Sequence, residues 1–318
     1  MKLQLTPFPA SAYAAWREEQ VERRREWQFG PLCGEVRGGI LARLAVDELA
    51  PAEGLSGTYL ERVLGGEDVV GWLWLSRANG DLIVLDADVA APAADLLALL
   101  ECHARAGKST TLVLDLMVQA PTMSALSALG GYETTSQTLL SRLDDGITGH
   151  EEEGPPVLLR PMTSDSYHAY RRIAIEGMVG EMCRSEGLSE GQALPRAQAE
   201  LAARLPDGLH TERQTLFDVI EAANGARVGA LWLEHRPPLA AFICDLHLIP
   251  VARGRGLGRS AMRAVAAWCH SRGVGRLGLS ILGSNEAACG LAISLGYDVV
   301  VKSLRRPVAP VVAVAGPR

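Results

Sequence analysis

Residues 253–258, Arg-Gly-Arg-Gly-Leu-Gly, combine arginine and glycine in a way that suits a phosphate-binding loop. They follow a strand-like run, 240–249, and precede a helix-like run, 259–272. Glycines let the backbone turn tightly and approach a ligand, and a helix N-terminus presents unpaired N–H groups with a positive dipole end. Arg253 and Arg255 would add mobile positive charge. Glycine-rich turns also form for packing reasons, so the neighbouring residues must decide between these interpretations.

Two other phosphate-binding motifs do not fit this segment. A Walker A loop ends in Gly-Lys-Ser/Thr, whereas Gly258 is followed by Arg259 and Ser260. A dinucleotide-binding fold requires Gly-x-Gly-x-x-Gly and an acidic residue at the end of the next strand, roughly 20 residues on. Here the spacing is Gly-x-Gly-x-Gly, and the strand-like run 277–282 ends without an acid.

The segment resembles the acyl-CoA pyrophosphate loop of the GNAT superfamily of N-acyltransferases, whose pattern is Arg/Gln-x-x-Gly-x-Gly/Ala between a strand and a helix. Arg253, Gly256 and Gly258 match that pattern. Downstream, Asn285 opens a helix that closes on Leu-Gly-Tyr at 295–297, similar to the family's Asn-x-x-Ala…Leu-Gly-Phe/Tyr segment. The resemblance covers about residues 158–301, and a weaker resemblance is present upstream.

The resemblance implies direct transfer of an acetyl group from acetyl-CoA, the co-substrate, to an amine of a small molecule or peptide. The pantetheine arm would lie where strand 240–249 parts from strand 277–282, and a backbone N–H near Leu248 would hold the thioester oxygen. Asn285 also suits the N-cap of its helix whatever the function. The cofactor contacts implied in this way are Leu248, Ile249, Arg253, Gly254, Arg255, Gly256, Leu257, Gly258, Arg259 and Asn285.

Alternation along residues 240–249 places a carboxylate and an imidazole on the same face of a strand. Attack by an amine requires loss of its ammonium proton, and His247, with an ordinary pKa near 6.5, is suited to accept it. Asp245, Glu234 and a chain of waters remain alternatives for this base, as does a structural role for His247, since many relatives carry Glu nearby. One face of the strand is predicted to point toward an apolar core and carries Phe242, Cys244, Leu246 and Leu248. The opposite face is predicted to carry Ala241, Ile243, Asp245 and His247.

The position expected for the general acid is altered. Family members often place a tyrosine near the sulfur, seven residues after the helix-opening asparagine, and this chain has Ala292 there. A thiol of pKa about 8.5 leaves as the thiolate, so catalysis is not excluded. Tyr297 is an alternative acid, although the motif places it in the core.

Composition excludes several classes of function. With 318 residues, 48% of them apolar, the chain can form two packed domains, and a net charge of −6 argues against a nucleic-acid partner. No run approaches the roughly 18 apolar residues of a membrane span, and the N-terminus lacks a signal core. We therefore expect a cytoplasmic protein without membrane or metal sites. The cysteines are scattered, without zinc spacing, at Cys33, Cys102, Cys183, Cys244, Cys269 and Cys289.

The two halves of the chain share a pattern. Val-Gly-x-Leu-Trp-Leu occurs at 70–75 and again at 228–233, an offset of 158, and Asp86 corresponds to Asp245 at 159. Gly107 corresponds to Gly273 at 166, so the first half is predicted to lack seven residues between the strand and the helix end. Residues 90–95, Ala-Ala-Pro-Ala-Ala-Asp, stand where the glycine-rich loop belongs, so this half is predicted to have no CoA pyrophosphate site.

The predicted fold class is α/β, an α+β mixed sheet, in two tandem GNAT-like folds. Residues 1–145 form a degenerate domain, 157–305 form the domain with the acyl-CoA site, and 306–318 form a disordered tail or add a strand. We expect a monomer whose repeats pack like the subunits of a homodimer. Helices are predicted at 11–26 and near 58–64, and two helices within 167–205 would select the acceptor amine.

Three functions stay open at this point. The first is an acetyl-CoA-dependent N-acetyltransferase active in the C-terminal repeat. The second is a non-catalytic acyl-CoA-binding or sensing module, favoured by Ala292 and the degenerate first half. The third is a tandem acyltransferase with a thiol-precursor acceptor, similar to mycothiol synthase in its two-repeat layout.

Overall fold

A computed structural model describes residues 2–55, 57–143, 154–185, 187–236, 240–283 and 285–308. The chain divides into two compact units: a first unit of Met1–Ser141 with Ser280–Arg318, and a second unit of Arg142–Leu279. Among the helices in the described ranges, none is long and apolar enough to span a bilayer.

The same order of elements, β-α-α-β-β-β-α-β-α-β, occurs twice along the chain. The first pass comprises β1 (Leu3–Pro7), α1 (Tyr13–Arg24), α2 (Gly30–Leu49), β2 (Thr58–Gly65), β3 (Asp68–Ala78), β4 (Asp81–Val89), α3 (Ala93–Ala106), β5 (Thr111–Met117), α4 (Pro121–Ala128) and β6 (Glu133–Arg142). The second comprises β7 (Val157–Pro161), α5 (Ser164–Ser185), α6 (Glu190–Arg204), β8 (Gln214–Glu221), β9 (Arg227–Arg236), β10 (Ala240–Leu248), α7 (Leu257–His270), β11 (Arg276–Leu282), α8 (Glu286–Ser294) and β12 (Asp298–Pro307).

In the first unit the strands follow the order β1-β2-β3-β4-β5-β12-β6. Among the strands described in this unit, the β4–β5 pair alone is parallel, and β12 lies antiparallel to both β5 and β6. One core contains Leu73, Leu75, Leu112 and Leu114 from the central strands. A second core brings Trp16 of α1 against Trp72 and Trp74 of β3.

In the second unit the order is β11-β10-β9-β8-β7, again with one parallel pair, β10–β11. Helices α5 and α6 pack through Tyr170 and Leu201 against Leu216 and Trp232 of the sheet. Helix α7 buries a stripe at i, i+4 spacing, Leu257, Ala261, Val265 and Cys269, as an amphipathic helix does.

The two compact units differ from the predicted division of the chain at residues 280–305. These residues were assigned to the second domain, but β12 pairs with β5 from Val301–Met117 to Pro307–Thr111, which places it in the first unit. The predicted tail also starts too early. Arg306 and Pro307 belong to β12, and Val308 donates its N–H to the Thr110 carbonyl at 2.9 Å. Residues 144–153 and 309–318 lie outside the described residues.

Two predicted elements need correction or adjustment. The helix expected near 58–64 is wrong, because this segment forms β2, paired with β1 and β3. The helix expected at 11–26 is confirmed, with its regular α-helical part at Tyr13–Arg24. The two helices expected within 167–205 are present as α5 and α6.

The connection after the fourth strand differs between the halves as the sequence indicated. Three residues, 90–92, join β4 to α3, whereas eight residues, 249–256, join β10 to α7. Five of the seven residues that the first half lacks are therefore in this connection, and the other two fall after the helix. The first half has no room for a loop of the same kind.

Candidate functional site

Strand β10 parts from β11 halfway along its length. The parallel pairing runs from Ala240–Arg276 to Ile243–Leu279 and goes no further in the second unit. Beyond this point the Ile249 N–H donates to Val228 O of β9 at 3.0 Å. Because successive N–H groups of a strand point to opposite edges, the Leu248 N–H faces the gap. This agrees with the gap expected for the pantetheine arm.

A β-bulge at Cys244 changes which side chains of β10 share a face. The register passes from Ile243–Leu233 to Asp245–Trp232, so Cys244 is the extra residue. Asp245 and His247 lie on one face, as predicted, but Ala241 and Ile243 lie on the opposite one, toward α7. The prediction that all four share a face is wrong, because strict alternation does not survive a bulge.

Tyr170 of α5 reaches the acidic residue of this strand. Its hydroxyl donates to Asp245 Oδ2 at 2.9 Å, and its side chain is almost completely buried. Burial raises the pKa of Asp245, while the hydrogen bond from Tyr170 opposes the rise. Burial and the neighbouring carboxylate raise the pKa of Tyr170 well above its ordinary value. Tyr170 therefore acts as a hydrogen-bond donor that fixes Asp245, and not as a ready source of protons.

His247 lies two residues further along the same face. Burial lowers the pKa of His247 below its ordinary value; Asp245 opposes this shift, and Arg253 and Arg227 add to it. A lowered pKa keeps the imidazole neutral at pH 7. A neutral imidazole is the form that accepts a proton.

The other two polar groups on this face are less suited to catalysis. Glu234 forms an ion pair with Arg236, with Oε2 and Nη2 separated by 2.9 Å. The thiol of Cys244 lies 3.8 Å from the same carboxylate, and burial raises the pKa of Cys244 to about 11. A thiol with that pKa is not a nucleophile at neutral pH.

The loop that follows β10 has the backbone its glycines predict. After a single 3₁₀ turn at Pro250–Ala252, Gly254 and Gly256 take positive φ angles of 72° and 83°. Gly256 is the N-cap of α7 and has no side-chain cap, so the first N–H groups of the helix remain for a ligand. Leu257, Gly258 and Arg259 form the first turn, where the buried Leu257 offers only its backbone.

The two loop arginines are held in place, contrary to the expectation of mobile charge. Arg253 Nε donates to the Leu248 carbonyl at 3.0 Å, which ties the loop to the end of β10. Arg255 Nη2 lies 2.5 Å from Oε1 of the buried Glu221. Each guanidinium has several donors, so both arginines keep N–H groups for an anion.

Asn285 belongs to the first unit, as the N-cap of α8, and accepts from the Ala288 N–H at 3.2 Å. Its capping role is confirmed, and its contact with a cofactor stays a prediction. In the described parts of the chain, no group of three or more His, Cys, Asp or Glu residues is arranged to hold a metal ion.

The chain is similar to known acetyltransferases. The model of the acetyltransferase (GNAT) family matches residues 186–297. Two Bacillus subtilis proteins, the uncharacterized N-acetyltransferases YdgE and YycN, are 24% and 26% identical over 151 and 152 residues, 46% of this chain and 96% of each relative. Residues 186–297 therefore match the GNAT family of acetyltransferases. A GCN5-related N-acetyltransferase from Sphaerobacter thermophilus shares its fold over 97% of this chain and 96% of its own, at a TM-score of 0.57 and 14% identity.

Sequence reasoning missed two residues that surround Asp245. Tyr170 sits in the segment expected to select the acceptor, but helical periodicity does not reveal which side chain meets the sheet. The guanidinium of Arg204 lies 4.2 Å from the Trp232 ring centre, opposite Asp245 on β9. The position of Arg204 at the end of α6 was the only indication of this contact in the sequence.

Strand β4 of the first unit corresponds to β10 of the second, but its acidic residue has different partners. A bulge at Leu85 places Asp86 opposite Trp74, as Asp245 lies opposite Trp232. Arg23 of α1 donates to both oxygens of Asp86, at 3.0 and 3.1 Å, and to Asp88 at 3.0 Å. The first unit therefore has a buried ion pair, Arg23 with Asp86, at the place where the second unit has Tyr170 and His247.

We expect Asp86→Ala to destabilise the first unit by about 3–5 kcal/mol, because it leaves the buried Arg23 without its main counter-charge. Asp88→Ala is the matched control. The side chain of Asp88 is 55% exposed and binds Arg23 through one nitrogen, so its loss should cost less than about 1 kcal/mol. Urea unfolding followed by tryptophan fluorescence compares the two, and equal costs would contradict this account.

Proposed function

We propose that the second unit binds acetyl-CoA and transfers its acetyl group directly to an amine, with His247 as the base. The observation that carries this proposal is the arrangement of β10. One strand presents Asp245 and His247 on a face, opens a gap toward β11, and leads into the glycine loop at the start of α7. Acyl transfer from acyl-CoA to an amine is the general reaction of the family.

The loop fits a pyrophosphate group. Gly256 has a left-handed conformation that side chains rarely adopt, and α7 lacks a side-chain cap, so backbone N–H groups of residues 256–259 would bind the anion. Arg253 and Arg255 would add positive charge at the same end. The Leu248 N–H, facing the gap, would donate to the thioester oxygen as negative charge develops there.

The residues of the second unit divide the chemistry as follows. His247 takes a proton from the ammonium group of the acceptor, and the free amine then attacks the thioester carbon. The C–N bond forms, and the C–S bond breaks as CoA leaves. Asp245, fixed by Tyr170, supports the positive imidazolium that results. The high pKa of Cys244 disfavours an acyl-cysteine intermediate, which supports direct transfer.

The leaving group has no tyrosine at the usual position, since Ala292 occupies it. CoA is proposed to leave as the thiolate, which needs no acid because a thiol has a pKa of about 8.5. The first pass, 1–145, is proposed to be a degenerate repeat without a CoA site.

The test is acetyl-CoA turnover with a panel of primary amines, amino sugars and cysteinyl conjugates, with free thiol measured as product. We expect acceptor-dependent thiol release. Binding of CoA without turnover on any acceptor would instead support a non-catalytic acyl-CoA module. Turnover confined to cysteinyl conjugates would support an enzyme of the mycothiol-synthase kind.

A further inference from the structure

The first unit contains a cavity of about 310 Å³ that the acyl-transfer proposal does not use. Pairing between β4 and β5 ends at Val84–Leu114, and the next residues on the two strands, Leu85 and Asp115, line the cavity. It therefore lies at the strand gap of the first unit. The three-residue connection 90–92 provides no phosphate loop there, so the occupant is not a nucleotide.

One end of the cavity is polar and carries both signs of charge. Arg24, only 6% exposed, supplies the cation, with its guanidinium 5.8 Å from the Trp74 ring centre. Asp115 supplies the acid. Burial raises the pKa of Asp115, while Ser303 and Arg24 oppose the rise. Ser136 and Ser303, which are paired across β6 and β12, lie level with Asp115, whereas Thr138 lies opposite Val301.

The remaining wall of the cavity is apolar. Leu85, Met117 and Val301 form it, with Leu49 at the end of α2. Leu49 is 41% exposed, which places it at the entrance. A volume of about 310 Å³ is sufficient for a leucine-sized molecule.

The neighbouring charges show which groups face a ligand. Arg23, the residue before Arg24, already binds Asp86 and Asp88 and does not line the cavity. Asp86 likewise gives both of its oxygens to Arg23. Arg24 and Asp115 are therefore the charged pair in contact with the cavity.

We propose that this cavity binds a small aliphatic amino acid as its zwitterion. The ligand carboxylate lies against Arg24, its ammonium group against Asp115 and the hydroxyls, and its side chain against Leu85, Met117 and Val301. A charged pair next to an apolar wall is complementary to such a molecule, because each ligand charge meets an opposite one and the aliphatic side chain meets apolar groups. The first unit would thus have lost the nucleotide loop and kept a small-molecule site.

The test is calorimetric titration of the full chain with L-leucine, L-valine and L-methionine at up to 10 mM. We expect saturable binding to one site per chain by at least one of them. 4-Methylpentanoate, which lacks the ammonium group, and isopentylamine, which lacks the carboxylate, should bind at least about tenfold more weakly. No binding by any of the three amino acids, or equal binding by either analogue, would overturn the proposal.

Two variants locate the site. Asp115→Asn removes the anion, and Leu49→Trp fills the entrance without altering the buried polar groups; each should weaken binding at least about tenfold. Asp68→Asn, an exposed carboxylate at the start of β3, is the matched control and should bind like wild type. Unchanged affinity in both Asp115→Asn and Leu49→Trp would place the ligand elsewhere and reject the site. CoA titration of the same variants shows independently whether the second unit is intact.

Discussion

Replacing His247 with alanine should lower kcat/KM for acetyl transfer by about 10²–10⁴-fold while CoA affinity stays nearly unchanged. The imidazole lies on the face of β10 with Asp245, whereas the CoA contacts proposed above come from the loop and from the Leu248 backbone. Loss of the base therefore affects the chemical step and not the cofactor. Steady-state kinetics combined with CoA calorimetry separates the two quantities.

The dependence of kcat/KM on pH gives a second test of His247 as the base. Burial lowers the pKa of His247, so the neutral form exists above a pKa that lies below the ordinary 6.5. Protonation removes the base, and kcat/KM should fall as pH decreases through that value. This acidic limb should be absent in the residual activity of His247→Gln.

His235 on β9 is the matched control for His247. Burial lowers the pKa of His235 as well, but its ring lies on the opposite face, 5.6 Å from Trp268 and 2.8 Å from the Thr215 hydroxyl. His235→Gln should keep both the rate and the acidic limb. If His235→Gln removes the limb, the limb reports His235 and not His247. If His247→Ala turns over normally, the base is Asp245, Glu234 or solvent, and Asp245→Asn is the next variant to measure.

Local features of the candidate site could be predicted from the sequence. Gly254 and Gly256 adopt positive φ, a conformation that glycine allows at little cost, so their presence between a strand and a helix predicts the turn directly. Asn285 was predictable as an N-cap for the same reason, because capping involves residues only a few positions apart.

Features that depend on distant partners could not be predicted. The bulge at Cys244 is a mismatch of register with β9, and alternation within β10 contains no sign of it. The hydrogen bond from Tyr170 to Asp245 joins residues 75 positions apart. Each of these depends on how elements dock, which a local pattern does not encode.

Two errors in the predicted fold also arise from pairing between distant segments. Tyr59, Leu60 and Val63 have spacing that also suits a helix, yet pairing with β1 and β3 makes the segment a strand. Residues 280–307 follow the second repeat in sequence but pair with β5 in the first unit. Sequence order therefore predicted the sequence of elements and missed the unit to which the last strand belongs.

The glycine loop should account for all CoA binding by the chain. We expect calorimetry to find one CoA per chain, because residues 90–92 offer neither glycine nor arginine at the corresponding place in the first unit. Gly256→Asp should weaken that binding at least about 100-fold. The new carboxylate would lie at the helix N-terminus beside the pyrophosphate, and like charges in contact cost several kcal/mol.

Backbone strain adds to the charge effect at Gly256. A side chain there would adopt a φ of 83°, which L residues rarely adopt, while its Cβ would make ordinary contacts with Gly154 Cα at 3.4 Å and Pro155 Cδ at 3.5 Å. Gly225→Asp is the matched control. Gly225 has a similar φ of 69°, nothing within 4 Å of an added Cβ, and a place in the turn between β8 and β9. The control carries the same charge and comparable backbone strain, so it should bind CoA normally. Two equivalent CoA sites in the wild type, or retained binding in Gly256→Asp, would show that the cofactor uses another part of the chain.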